Sequence, residues 1–261
     1  MIDCNGLELH EARFASFTAC YHCEEEPMLA LKVEHTQRVL ECARRILEKE
    51  AAPGMDQRLI RAALLAALYH DVGRFPQFER WHTFSDAVSV NHGLLGCALL
   101  KRRAFLEGEE PFVQRLVRVA VYLHNRHHLP AHLEGNERFV TDVVRDADKL
   151  DIFRIMAEHL YGAQKKEDVV LRVRDEPEKW SGDIAAQVVA GQVPSYSSLR
   201  YVNDFRLLLV SWLHDLSFAC SKKLLVESGY LDQVLAGLPQ QDTRLAPVLE
   251  ILRRQIAEAL Q

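Results

Sequence analysis

Apolar positions recur with a helical period along nearly the whole chain. In 30-ALKVEHTQRVLECARRILEKE-50 they fall at Leu31, Val39, Ala43, Ile46 and Leu47, and the breaker 51-AAPG-54 follows. Asp56 is placed to cap the next helix. Its run 59-LIRAALLAAL-68, small and aliphatic apart from Arg61, predicts a buried helix ending near His70. The aromatic-rich stretch 73-GRFPQFERWHTF-84 reads as a loop, after which Ser85 or Asp86 is expected to open a helix covering 92-HGLLGCALLKR-102. Pro111 suits the first turn of the amphipathic helix 112-FVQRLVRVAVYLHN-125, and a polar loop with Pro130 and Gly135 leads to a long helix over 137–160. From about 165 to 200 the chain is charged and then broken by Gly182, Gly191 and Pro194, which predicts a short helix and irregular turns. One strongly apolar helix is expected over 202–225 and a last one over 243–260. No strand pattern or repeat interrupts the series. The reading is all-α, a single domain over 1–261.

Composition narrows the functional classes. At 261 residues and 48% hydrophobic, the chain can build one large core. A net charge of −5 argues against bulk attraction to nucleic acid or an anionic membrane, but leaves room for a local basic pocket around a small phosphate ester. No apolar run approaches the roughly 20 residues of a membrane span. The start, 1-MIDCNGLELHEARFAS-16, lacks the basic-then-apolar order of a secretory signal. The expectation is a soluble, cytoplasmic protein with neither nucleic acid nor membrane as partner. Six scattered cysteines (Cys4, Cys20, Cys23, Cys42, Cys97 and Cys220) suit reduced thiols. The lone 20-CYHC-23 has no second pair with which to hold zinc, and reads as a structural segment.

The chemistry lies in the histidines and aspartates. Twelve histidines are more than a core needs, and several sit on helices at positions expected to be buried or to face a cleft. His35 lies mid-way along the first long helix, and His70 and Asp71 end the second in 68-LYHDVGRFPQF-78. His92 begins the third and His124 ends the fourth, while Asp146 and Asp148 lie within the fifth in 144-VRDADKLDIF-153. A carboxylate buried without a partner costs several kcal/mol, so buried acids are paired or bind metal. Mixed nitrogen and oxygen donors suit iron, manganese, zinc and related ions, and the lack of cysteine in the set argues against a structural thiolate zinc site.

In this order, His35, then His70-Asp71 in H-D-x-G-R, then an aspartate in A-D-K-L-D, the chain resembles the HD-domain superfamily over about residues 28 to 165. That family consists of all-helical metal-dependent phosphohydrolases with a few oxygenases. The resemblance implies a helical core at about 28–165 and a helical C-terminal extension at about 166–261. It implies that His35, His70, Asp71 and a late aspartate hold one metal ion. Asp148, which follows an alanine and precedes 149-KLD-151, is the better match, with Asp146 the alternative. His92 and His124 match the added histidines of the binuclear branch, with Asp71 bridging two divalent ions: iron, manganese, zinc, nickel or cobalt, with magnesium also compatible. The HD-GYP branch carries a second histidine where this chain has Asn125, and no G-Y-P follows, which argues against a third ion. His127 and His128 are further candidates for lining the pocket.

The implied reaction is hydrolysis of a nucleotide or other small phosphate ester by a metal-bridged hydroxide, with Arg74 and Lys149 as phosphate contacts. Arg126 follows the His124 segment. The alternative is a mixed-valent di-iron oxygenase on the same ligands. The aromatics of 75–84 are expected either to stack on a substrate ring or to plug the bundle, and assembly into homo-oligomers stays open. A second pair, His214-Asp215 in 212-WLHDLSF-218, lacks the following glycine and arginine and reads as a helix with a polar stripe.

Overall fold

A computed structural model describes residues 6–23, 25–52, 54–161 and 173–260, and all of its regular structure is helical. Cys4, Pro53 of the predicted breaker and the charged start of the 165–200 segment lie outside the described residues. The chain divides into two compact units, 1–151 and 152–261.

The first unit is built round α3 (Gln57–Tyr69). Its residues from Ala62 to Tyr69 are all buried, as expected of a small and aliphatic run. Ala62, Ala63, Ala66 and Ala67 leave little between its backbone and its neighbours, so α2 (Pro27–Glu50) and α6 (Pro111–Leu123) pack directly on it. Each buried leucine, such as Leu64 or Leu65, contributes about 1.5–3 kcal/mol of transfer free energy. Asp56 caps α3 by accepting from the Arg58 amide at 2.9 Å, and Pro111 opens α6, both as the sequence predicts. On α2 the buried stripe His35, Val39, Ala43 and Ile46 faces inward at helical spacing. Also packed here are α1 (Glu8–Ala19), α4 (Arg74–Trp81), α5 (His92–Arg102) and the first part of α7 (Gly135–Tyr161).

Two expectations for this unit need correction. The stretch read as a loop contains α4, because Pro76 falls in its first turn, where no intrahelical amide bond is lost. Neither Ser85 nor Asp86 opens α5. Asn91 does, its side chain accepting from the Leu94 amide at 2.9 Å, and Asp86 is left in the preceding loop. The choice between stacking and plugging is settled for Phe75, which is fully buried against Phe14 and Phe17.

The second unit contains the rest of α7, α8 (Gly182–Val189), a short 3-10 turn at Tyr196–Ser198, α9 (Val202–Asp215), α10 (Ala219–Glu227), α11 (Tyr230–Ala236) and α12 (Ala246–Glu258). The single helix expected over 202–225 is two. The chain goes extended at Leu216, which buries that side chain, and no glycine or proline announces the break. Buried Asp204 ties the entry to α9 together by accepting from the Ser181 amide and hydroxyl, each at 2.7 Å, and from the Arg200 and Tyr201 amides.

Candidate metal centre

Four imidazoles from four helices of the first unit turn the same ring nitrogen inward. His35 projects from the middle of α2, His70 follows α3, His92 begins α5 and His124 follows α6, and all four are buried. The Nδ1 of each is engaged from behind. His35 Nδ1 lies 2.7 Å from Asp151 Oδ2, and His92 Nδ1 2.7 Å from Asp86 Oδ2. His70 Nδ1 lies 2.7 Å from the Ala67 carbonyl, and His124 Nδ1 2.8 Å from that of Val121. An acceptor at Nδ1 keeps the ring hydrogen there and leaves a lone pair on Nε2, except at His35, whose Nε2 also faces Asp148 Oδ1 and carries a proton in the metal-free protein. The inward Nε2 atoms fall into two pairs, His35 with His70 at 3.3 Å and His92 with His124 at 3.0 Å.

Asp71 lies between the pairs, and each of its oxygens serves one of them. Oδ2 is 3.7 Å from both His35 Nε2 and His70 Nε2. Oδ1 is 3.3 Å from His92 Nε2 and 3.7 Å from His124 Nε2. Asp148 joins the first pair, its Oδ1 3.0 Å from His35 Nε2 and 3.7 Å from His70 Nε2. Asp146 lies two residues away, on another side of the helix, and is fully buried. Within each of the groups His35-His70-Asp71 and Asp71-His92-His124, one donor atom per residue lies within 4.8 Å of the others. Facing lone pairs at such distances repel one another unless a cation or a proton lies beside them. Neutral imidazole and carboxylate are ligands for divalent transition ions, so the residues fit metal.

Positive charge surrounds Asp71. Lys32 Nζ lies 2.7 Å from Oδ2 and Arg74 Nε 3.5 Å from Oδ1. Burial works to raise the Asp71 carboxyl, but Lys32, His70 and Arg74 outweigh it and hold it well below the usual carboxylate range. Asp148 is depressed in the same way, its burial outweighed by His35 and His70.

Burial pushes His70 and His92 down to about 4, from about 6.5 in an unfolded chain. Their contribution to stability is therefore complete above about pH 6.5 and is lost as pH falls toward the folded values. His35 runs the other way. Burial and Lys32 lower it, but hydrogen bonds to Asp148 and Asp151 prevail, so it adds stability on acidification. Between pH 7 and pH 5 two groups oppose one, and the depressed carboxylates, ionised in both states over this range, add little. Metal-free protein is expected to have a lower urea midpoint at pH 5 than at pH 7; an equal or higher midpoint at pH 5 contradicts this.

Other sequence candidates fall elsewhere or are already engaged. Arg74 Nη1 donates to Gln77, to the Phe84 carbonyl and to Asp86, which leaves its Nε side toward Asp71. Lys149 is partly exposed on α7 and is not without a partner. Arg126 is exposed, with its guanidinium over the Tyr122 ring. His127 and His128 are exposed and ring to ring at 4.3 Å. In the second unit His214 Nε2 donates to Gln255 at 3.3 Å. The thiols of Cys20 and Cys23 donate to the Ser16 and Thr18 carbonyls.

Four residues of the site escaped the sequence reading: Lys32, Asp86, Asp151 and, as a polar partner, Asn125. Lys32 precedes His35 by three positions and Asp151 follows Asp148 by three, so helical spacing marks both as facing the same way as a candidate ligand. Nothing local marks Asp86.

The sequence model of the HD domain family matches residues 33–183. No curated protein and no solved structure matches the chain significantly.

Proposed function

Because the chain belongs to the HD domain family, in which metal-dependent hydrolysis prevails, we propose that it is a phosphohydrolase. It loads two divalent ions and cleaves a phosphate ester of a nucleotide or another small phosphorylated metabolite. The observation that carries this reading is the division of Asp71, one oxygen toward His35 and His70 and the other toward His92 and His124. His35, His70, Asp71 and Asp148 would hold one ion, and Asp71, His92 and His124 the other. Bound there, the ions would supply Lewis acidity toward a phosphoryl oxygen and a nucleophilic water at neutral pH.

The chain's own part is to orient the ester and offset its charge. Lys32 is suited to this, with its ammonium beside Asp71 and its side chain 17% exposed. Arg74 brings a second cation, and both lie close to the Phe84 ring, at 5.5 and 5.7 Å from its centre. An anionic ester beside Asp71 would meet these two charges, and Lys149 is a third candidate. Phe84 and Phe78, whose rings are 5.0 Å apart and tilted by 38°, offer an apolar edge at the same place.

Metal analysis of the purified chain, with an anaerobic phosphate-release screen over nucleotides and an aryl phosphate, tests the reading. We expect two ions per chain and phosphate release without O₂. Two irons with O₂ consumption and no phosphate release would favour an oxygenase on the same ligands, and failure to take up any ion would refute the site.

A further inference from the structure

Of the four inward imidazoles, three are oriented from within helices. His70 and His124 rest on carbonyls three residues back, Ala67 and Val121, which the helix backbone fixes. His35 rests on Asp151 of α7, itself held by the Arg38 guanidinium at 2.9 Å. His92 differs. Its Nδ1 rests on Asp86, a side chain from the loop between α4 and α5.

Asp86 is held by donors from several elements. Arg74 Nη1 and Gln77 Nε2 of α4 donate to Oδ1 at 3.0 and 2.9 Å. Asn125 Nδ2, just after α6, donates to Oδ2 at 3.0 Å. The His92 amide, at the open N-terminus of α5, also points at Oδ2, at 3.4 Å. A negative charge is favoured there by the helix dipole. Arg74 and Gln77 on one oxygen, and Asn125 and the His92 amide on the other, leave Asp86 placed as an acceptor for the His92 Nδ1–H. Gly93 leaves room for this arrangement, since a Cβ there would lie 3.0 Å from Asn125 Oδ1.

The two halves of the centre are also unequal in donors. Among the described residues, the His35-His70 half has two carboxylates at hand, Asp71 and Asp148, and the His92-His124 half has Asp71 at its inward nitrogens. Fewer anionic donors mean weaker hold on a divalent ion, so this half depends more on keeping both imidazoles aimed.

We propose that Asp86 is the positioning residue of the weaker half: it fixes the Nδ1–H form and the aim of His92, and so decides whether the second ion is held. The inference rests on the two-ion reading above. Asp86 touches no reacting atom in this scheme. It acts through His92.

The test uses the full chain and two variants, Asp86→Ala and Asp86→Asn, with Mn²⁺ as the probe. Titration calorimetry on the wild type should resolve a tighter and a weaker Mn²⁺ site. In Asp86→Ala the weaker site should lose roughly 10–100-fold in affinity while the tighter one is unchanged. Asp86→Asn, which keeps an acceptor oxygen but not the charge, should lose less. Nitrogen-15 shifts of the metal-free protein supply a readout that needs no ion. His92 should be in the Nδ1–H form in the wild type and a mixture of forms in Asp86→Ala. Unchanged affinity at both sites, or His92 in the Nε2–H form in the wild type, would overturn the proposal. So would an equal loss at both sites, which a general structural defect would produce. No Mn²⁺ binding to any of the three would refute the two-ion reading itself, and the ring shifts alone would then decide whether Asp86 sets the form of His92.

Discussion

Replacing Asp71 with asparagine should strip both ions from the protein and lower turnover by roughly 10³-fold or more, while the helix content stays near that of the wild type. The two oxygens of Asp71 face different imidazole pairs, so the exchange damages both halves at once. Asparagine keeps one carbonyl oxygen, uncharged, and turns an NH₂ group toward the other pair, where a donor cannot serve a metal. Breaking a buried ion pair by removing one member costs about 3–5 kcal/mol when the other stays buried. Here Lys32 is 17% exposed and can turn toward water, so the fold should survive with a smaller loss. Metal content by mass spectrometry, phosphate release and circular dichroism check the three parts. A variant that keeps both ions, or works at the wild-type rate, would show that Asp71 does not join the two halves.

The second large effect is expected at a residue with no functional group. A Cβ on Gly73 would lie 2.2 Å from the His92 carbonyl oxygen and 2.8 Å from the Gly96 amide nitrogen. Both obstacles are backbone of α5, so no rotamer relieves the clash, and the turn after Asp71 would have to part from α5. Gly73→Ala should cost about 3 kcal/mol or more, lowering the melting temperature by roughly 6–12 °C. It should also lose the ion held by His92, because that residue lies at the point of separation. Gly182→Ala is the control, since nothing lies within 4 Å of a Cβ there and the residue is helical. It should be neutral or stabilising by roughly 0.5–1 kcal/mol. Equal melting temperatures for the Gly73 variant and the wild type would disprove the packing argument.

The same geometry gives the glycine of H-D-x-G-R its meaning. The motif reads as a metal-binding pair followed by a turn, but its glycine serves contact with a helix some twenty residues later. His92 stands beside Asp71 because Gly73 lets the turn touch the backbone of α5. Spacing along the chain carries no record of that approach.

Most helices were legible because long segments with one apolar face have few alternatives to burying it. The exceptions share a cause. The buried stripe of α1 is His10, Phe14, Phe17 and Thr18, half of it polar, so it does not stand out as apolar. His10 is buried there only because Tyr69 and Glu109 meet its two ring nitrogens, each at 3.0 Å. α11, at seven residues, is too short to show a period. α4 was hidden by its proline and aromatics, and the break at Leu216 by the absence of any breaking residue.

For the candidate centre, the sequence by itself determined the residue types and their order: imidazoles and carboxylates at His35, His70, Asp71, His92, His124 and Asp148, each on or at the end of a helix with a buried face. Burial and helical period are local properties, and they leave traces in the order of residues. The tertiary structure alone decided which ring nitrogen faces inward, which oxygen of Asp71 serves which pair, and that Lys32, Asp86 and Asp151 stand behind them. Those facts are relations between helices. They depend on how closely α2, α3, α5, α6 and α7 approach, which is set by the volumes of side chains far apart in sequence.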